Sequence, residues 1–196
     1  MLGQYIYTAA MTIGPDRETL FNEIYDTEHV PEILRVPGMI SISRYRRTRP
    51  IDPFYLAVYE IATPDIPGGP DFARARDVGR WPTEIRPFTR GLQNGLYSWR
   101  SGFGGDGASR VAATHLLFAR VLPAVAGRSD HAETLNRTLE SLASSPGVTS
   151  GAHYADVANG THVLVAALPA RAVDPAVERV AVVADAEVYA SIASRP

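Results

Sequence analysis

Phe21-Asn-Glu-Ile-Tyr25-Asp-Thr-Glu-His29-Val-Pro31-Glu-Ile-Leu-Arg-Val-Pro37-Gly38 is the stretch whose reading decides the fold. Phe21, Tyr25 and His29 stand four residues apart, so on a helix they form one stripe, with Ile24 beside it. Pro31 lacks a backbone donor and interrupts that helix just past the histidine; one more turn, residues 32–36, follows before Pro37-Gly38 launches a strand. A helix lying on a sheet buries such a stripe. The phenol and the imidazole therefore point toward strands.

Upstream, residues 4–13 read as a strand with Tyr5, Tyr7, Ala9 and Met11 on one face, and Asp16 is placed to cap the helix. Downstream, residues 39–46 and 54–62 are strands joined by a loop at 49–53. A proline- and glycine-rich segment, a short helix near 71–79, a Trp81-Pro82 break and a strand at 94–100 complete the half. The order β-α-β-β-α-β is the ferredoxin-like unit.

Residues 101–110 have the composition of a glycine-rich linker, and beyond them the pattern restarts. Strands are expected at 114–122, 148–154, 161–168 and 187–193, with helices at 131–144, capped by Asp130, and at 173–180. Pro37-Gly38-Met39 and Pro146-Gly147-Val148 lie 109 residues apart, and each glycine is followed seven positions later by a tyrosine, Tyr45 or Tyr154. Duplication of one unit accounts for this register. A ferredoxin-like sheet with helices on one face leaves the other face in need of cover, and two units in one chain can cover each other. The expected fold is thus α+β. Residues 1–100 and 111–196 form two tandem ferredoxin-like units whose antiparallel sheets pack into an intrachain α/β barrel.

The halves differ in what they carry. Of the 17 aromatic residues, 13 fall in the first 100 positions, which places a decorated unit before a plainer structural one. At the 109-residue offset, Tyr25, Asp26, Glu28 and His29 face Thr134, Leu135, Arg137 and Thr138. The second helix is an ordinary amphipathic one.

Composition excludes several classes. There is no cysteine, so disulfides, thiolate metal sites and cysteine nucleophiles are absent. All 19 basic residues are arginine, which rules out a lysine Schiff base. A net charge of −2 gives no footprint for nucleic acid or an anionic membrane. No apolar run reaches transmembrane length and no signal peptide is visible, so the expected location is cytoplasmic. Pro67-Gly68-Gly69-Pro70 matches no phosphate-binding loop, and Gly-x-Ser-x-Gly is missing.

His29 sits where the helix is interrupted. The negative end of the helix dipole, with Asp26 three residues back or Glu28 adjacent, favours the imidazolium, while burial opposes it. The balance is expected to leave its pKa near neutrality, suited to acid/base work. The alternative is a histidine that merely caps free carbonyls. Tyr25 and a strand tyrosine such as Tyr7 are candidates to polarise a substrate oxygen. Phe21, Tyr7, Tyr45, Tyr59 and Trp81 are candidate pocket walls. Arg44, within the run Arg44, Arg46, Arg47 and Arg49, either anchors a carboxylate or enolate or serves as a charged strand edge. His115, His153 and His162 fall on strands of the second unit, where a three-histidine metal site or a haem ligand is conceivable.

Phe21, Tyr25, His29 and Pro31, then Pro37-Gly38 entering a strand with Arg44-Tyr45-Arg46, resemble the signature of EthD-like proteins of the dimeric α/β-barrel superfamily. The motif covers about 26 residues, and the element order extends the likeness over the first 100. The resemblance implies a small-molecule pocket between sheet and helices. It also implies a His/Tyr pair that moves protons, matched here by His29 with Tyr25 or Tyr7. Such relatives pair two identical subunits, so a fused tandem suggests either a monomer with a pseudo-dimeric barrel or a homodimer. The superfamily includes cofactor-free cyclases and isomerases, haem-dependent enzymes and quinone-forming monooxygenases.

The leading expectation is a cofactor-free lyase, isomerase or cyclase acting by proton transfer on a small aromatic or polyketide-like molecule. A non-catalytic ligand-binding protein on the same fold is the second reading. A haem- or metal-dependent monooxygenase is the third.

Overall fold

The computed structural model describes residues 4–48, 53–104, 114–181 and 183–195. In chain order the elements are β1 (Tyr5–Ile13), α1 (Glu18–Ile24), a π-helical turn (Tyr25–His29), α2 (Val30–Leu34), β2 (Met39–Arg47), β3 (Phe54–Ile61), α3 (Pro70–Arg76), a second π-helical turn (Trp81–Ile85), β4 (Thr89–Phe103), β5 (His115–Val121), α4 (Pro123–Ala126), α5 (His131–Ala143), β6 (Ser150–Asp156), β7 (His162–Leu168), α6 (Val173–Val180) and β8 (Ala184–Arg195). The α+β class stands: hydrogen bonding orders the strands β1-β3-β2-β8-β5-β7-β6-β4, the order of a closed barrel. β4 is longer than its sequence suggests and takes in residues 101–103 of the expected linker. Residues 105–110 of that linker, and Arg49 in the loop at 49–52, lie outside the described residues.

Two compact units divide the chain, one of Gly3–Leu96 with the C-terminal end of β8, the other of Tyr97–Ser191. In the first, β3 pairs antiparallel with β1 and β2, with Tyr7 opposite Tyr59 and Met11 opposite Tyr55. Directly paired residues project to the same side of a sheet, so Tyr7, Ala9 and Met11 share a face with Tyr55, Ala57 and Tyr59. Against that face pack Phe21, Ile24, Tyr25, Val30 and Ile33, all buried.

The helix meant to break at Pro31 does not break. It widens: the Val30 N–H donates to the Tyr25 carbonyl, five residues back. The widening brings Pro31 into the first turn of α2, where the missing donor costs no internal hydrogen bond and helical backbone continues. Trp81-Pro82 is resolved in the same way, with the Arg86 N–H bonded to the Trp81 carbonyl.

In the second unit β5 lies between β7 and β8, and β6 pairs with β7 and with the later part of β4. Leu135, Leu139 and Leu142 of α5 and Ala176 and Val180 of α6 belong to its core. Both units make one shared turn. Gly38 and Gly147 take φ of +84° and +86°, a region open to glycine without Cβ strain. Around them Met39 N–H bonds Val36 O at 3.0 Å and Val148 N–H bonds Ser145 O at 3.2 Å, each 109 positions from its counterpart.

Upstream of that turn the offset changes. The buried residues of α5 are Leu135, Thr138, Leu139 and Leu142, whereas those of the first unit are Tyr25, His29, Val30 and Ile33. The first interval is three residues in α5 and four in the other helix; the extra residue is the π turn. Tyr25 therefore corresponds to Leu135, and the constant offset holds only from His29 onward.

Candidate active site

The two π turns bring the site together. His29, at the end of one, stacks on Trp81, at the start of the other, with ring centroids 4.4 Å apart and planes inclined by 23°. Tyr25 meets both rings edge-on, at 4.9 Å from His29 and 5.1 Å from Trp81. A π turn at such a place is the usual mark of a chain bent to aim side chains. Arg80 fixes the pair of turns. Its guanidinium donates to Glu28 at 2.6 Å and to Glu23 at 2.7 Å, and its backbone N–H donates to Glu28 at 2.9 Å.

Tyr25 and Tyr59 share a buried hydrogen bond of 2.6 Å between their hydroxyls. Tyr7 lies 5.5 Å from Tyr59, ring to ring, and closes the aromatic wall with Phe72. Burial pushes the Tyr25, Tyr59 and Tyr7 phenols above their ordinary pKa, Tyr59 furthest, so all three stay protonated and able to donate.

These groups surround a cavity of about 240 Å³ in the first unit. Of the residues singled out in the sequence, Tyr7, Tyr25, His29, Tyr59 and Trp81 line it. Phe21 lies outside the lining, packed against Tyr25, Tyr55 and Trp81. Tyr45 also falls outside it. Phe72 and Arg76 of α3, Arg86 from the turn after Ile85 and Asn94 of β4 join the lining without any signal in the sequence, because only folding brings these separate elements together.

Arg44 does not open onto the cavity. It is 2% exposed, its guanidinium sits 4.1 Å over the Tyr25 ring, and it donates to Asp26 and, at 2.8 Å, to Asn22. Asp26 is thus committed to Arg44 and Glu28 to Arg80, so neither carboxylate orients the imidazole. His29 Nδ1 is buried without a hydrogen-bond partner among the described residues.

The expected near-neutral pKa gives way for the same reason. Burial first, then the positive fields of Arg44, Arg86 and Arg76, pull His29 down to about 3. At neutral pH it is a neutral imidazole with an unsatisfied buried nitrogen. It can accept a proton; it carries none to give as an imidazolium.

The histidines of the second unit group differently from the expected set. His153 and His162 meet, but His131 completes the group, while His115 bonds Thr114 at 2.9 Å. Among the described residues no three His, Asp or Glu side chains are placed to hold a metal ion. The first-unit cavity suits a porphyrin no better. Pockets for drug-sized ligands run from about 300 Å³ upward, and the 240 Å³ cavity lies below that range.

No family model and no curated protein matches the chain. Solved structures do. One is a Fusobacterium nucleatum protein provisionally described as a monooxygenase, with TM-score 0.64 and 11% identity over 100% of this chain and 95% of that one. An anthrone oxidase-like protein aligns with TM-score 0.58 and 11% identity over 98% and 93%. A chlorite dismutase variant from Candidatus Nitrospira defluvii, in complex with cyanide, aligns with TM-score 0.58 and 10% identity over 96% and 91%. At this identity the likeness establishes the fold alone. The names nevertheless overturn the expected lyase, isomerase or cyclase, since these neighbours bear the names of oxidoreductases.

Proposed function

We propose that the first unit oxidises a small aromatic molecule with dioxygen, and that the chain is a tandem relative of the EthD-like proteins. The observation that carries the reading is a neutral His29 imidazole lining the same aromatic cavity as the hydrogen-bonded Tyr25 and Tyr59 phenols. An engineered cavity of about 150 Å³ admits benzene, so 240 Å³ suits a compact fused-ring compound.

His29 takes a proton from an activated ring methylene or phenol. A base with a pKa of about 3 is weak in isolation. The arginines that depress it also stabilise the carbanion or phenolate formed, so the same field lowers the substrate's acidity barrier. The Tyr25–Tyr59 pair donates to the developing oxyanion. The substrate anion then supplies the electrons. For a methylene, one oxygen atom of dioxygen is kept as the new carbonyl and the other leaves as water with the two hydrogens, which balances the reaction. No step is routed through haem or metal: the cavity is small for a porphyrin, and no three metal-ligating side chains come together among the described residues.

Oxygen uptake with anthrone-type and hydroxynaphthalene probes, followed together with quinone absorbance, tests the reading. The expected result is stoichiometric oxygen consumption that falls roughly 10²–10⁴-fold in His29→Ala. Saturable binding of the probes with no turnover would instead identify a ligand-binding protein. Turnover unchanged within about twofold in His29→Ala would remove the histidine from the mechanism.

A further inference from the structure

His131, His153 and His162 converge in the second unit, where nothing in the proposed oxidation uses them. His153 is 5% exposed, and its Nε2 lies 2.8 Å from Nδ1 of His162. The His162 ring is in turn 5.1 Å from that of His131. They border an open pocket of about 440 Å³ with Arg100, Ser101 and Asn136, and no carboxylate lines it.

The donors can be assigned from the contacts. Nδ1 of His131 is 2.8 Å from the carbonyl of Arg128, which can only accept, so that nitrogen carries a hydrogen; Nε2, left for the pocket, is bare in the neutral ring and donates to an anion only in the imidazolium. Asn136 accepts from Ser101 through Oδ1 at 2.8 Å, which leaves its NH₂ as a donor. Between His153 and His162 one nitrogen must be bare, because two N–H groups would collide. If His153 donates, His162 is held with its Nε2–H outward.

Charge favours one kind of guest. Arg100 approaches from β4, His131 from α5, His153 from β6 and His162 from β7. The neighbouring acids are spoken for: Asp130 by Arg128 at 2.8 and 2.6 Å, Glu133 by Arg137 at 3.9 Å, and Asp156 by the N–H groups of Ala158 and Asn159. Burial and mutual repulsion hold His153 down to about 4 and lower His162. A guest bringing negative charge would cancel that repulsion.

We propose that this pocket binds a small oxyanion of the phosphate class, free or as a monoester, through Arg100, His131, His162 and the Asn136 amide. His153 acts as the positioning residue that fixes the His162 tautomer. A metal ion is the less suited guest, because the 2.8 Å His153–His162 hydrogen bond occupies one nitrogen of each ring.

Imidazole NMR resonances of the full chain, followed during titration with inorganic phosphate, phenyl phosphate and acetate, provide the test. Saturable shifts of His131 and His162 are expected with phosphate, tighter at pH 6 than at pH 8, and weaker with acetate. Phenyl phosphate binding at least as tightly as phosphate would assign the site to monoesters; its exclusion would assign it to the free ion. Arg100→Gln, at an exposed position, should weaken phosphate by about tenfold, the worth of one charge-assisted contact. His153→Phe should do the same while changing the His162 tautomer signature. Absence of saturable shifts up to tens of millimolar, equal affinity in Arg100→Gln, or stoichiometric capture of Zn²⁺ by all three rings would each overturn the proposal.

Discussion

Tyr59 and Asp26 show how differently two polar residues of one neighbourhood act. Tyr59 reaches the cavity, and its hydroxyl exchanges a hydrogen bond with that of Tyr25. Tyr59→Phe removes one buried neutral hydrogen bond, so a stability loss of about 1 kcal/mol is expected in urea denaturation. Oxygen uptake should fall more than that stability loss explains, because the remaining hydroxyl loses its orientation. Asp26 never reaches the cavity; it balances Arg44, whose side chain is 3% exposed against 36% for the aspartate. Asp26→Ala strands a buried guanidinium under the Tyr25 ring. Full breakage of a buried pair costs about 3–5 kcal/mol. The half-open carboxylate side reduces the expected loss to about 2 kcal/mol, read as a lowered denaturation midpoint. Charge at Asp26 balances Arg44, whereas the Tyr59 hydroxyl lines the cavity where the proposed chemistry would occur.

At the scale of the element, the π turn is the decisive feature. It adds one residue between Tyr25 and His29 relative to the interval between Leu135 and Thr138 in α5. Thr27, within that turn, is exposed and bonds only the Glu23 carbonyl through its side chain, at 2.8 Å. Excising Thr27 should restore a plain α-helix with the spacing of α5. We expect such a protein to fold cooperatively, to lose the Tyr25–Tyr59 hydroxyl contact in its NMR spectrum, and to lose turnover. Retained turnover would mean that the widened turn is not what aims the site. Arg80 supports the same element from outside: Arg80→Ala breaks contacts that are 40% exposed on the arginine side. Exposed ion pairs contribute little, because water screens them. A modest stability change with a larger rise in KM is the expected pattern.

Over the whole molecule, acid is the condition that probes both units at once. His29 in one and His153 in the other are buried neutral, with pKa values drawn from 6.5 down to about 3 and about 4. The unfolded chain binds protons at both sites below pH 6.5, and the folded chain refuses them. Their contribution is therefore fully present above that pH and is lost as pH falls toward the folded values. Each histidine removes at most ~1.4 kcal/mol per pH unit across its window. His29→Phe should flatten the dependence of unfolding free energy on pH between 6 and 4. Parallel curves for the two proteins would show that the imidazole is hydrated. No helix among the described residues is long and apolar enough to cross a membrane.

Periodicity and turn chemistry carry over from sequence to fold because they are local. Alternation along β1, the glycines at 38 and 147, and the amphipathic helix at 131–144 need no distant partner to be read, and the element order of both units followed from them. The aromatic stripe Phe21-Tyr25-His29 likewise announced a buried face. What the chain alone could not decide was the fate of Pro31, the partners of Asp26 and Glu28, and the pKa of His29. Each depends on which arginines fold back: Arg44 from β2, Arg80 from just before the second π turn, Arg76 and Arg86 at the cavity. Local sequence set the helix end and the adjacent acids against burial and placed the His29 pKa near neutrality. Tertiary structure gave those acids to arginines, sealed the imidazole against Trp81, and left it neutral, because charge and solvent exposure are set by neighbours distant in sequence.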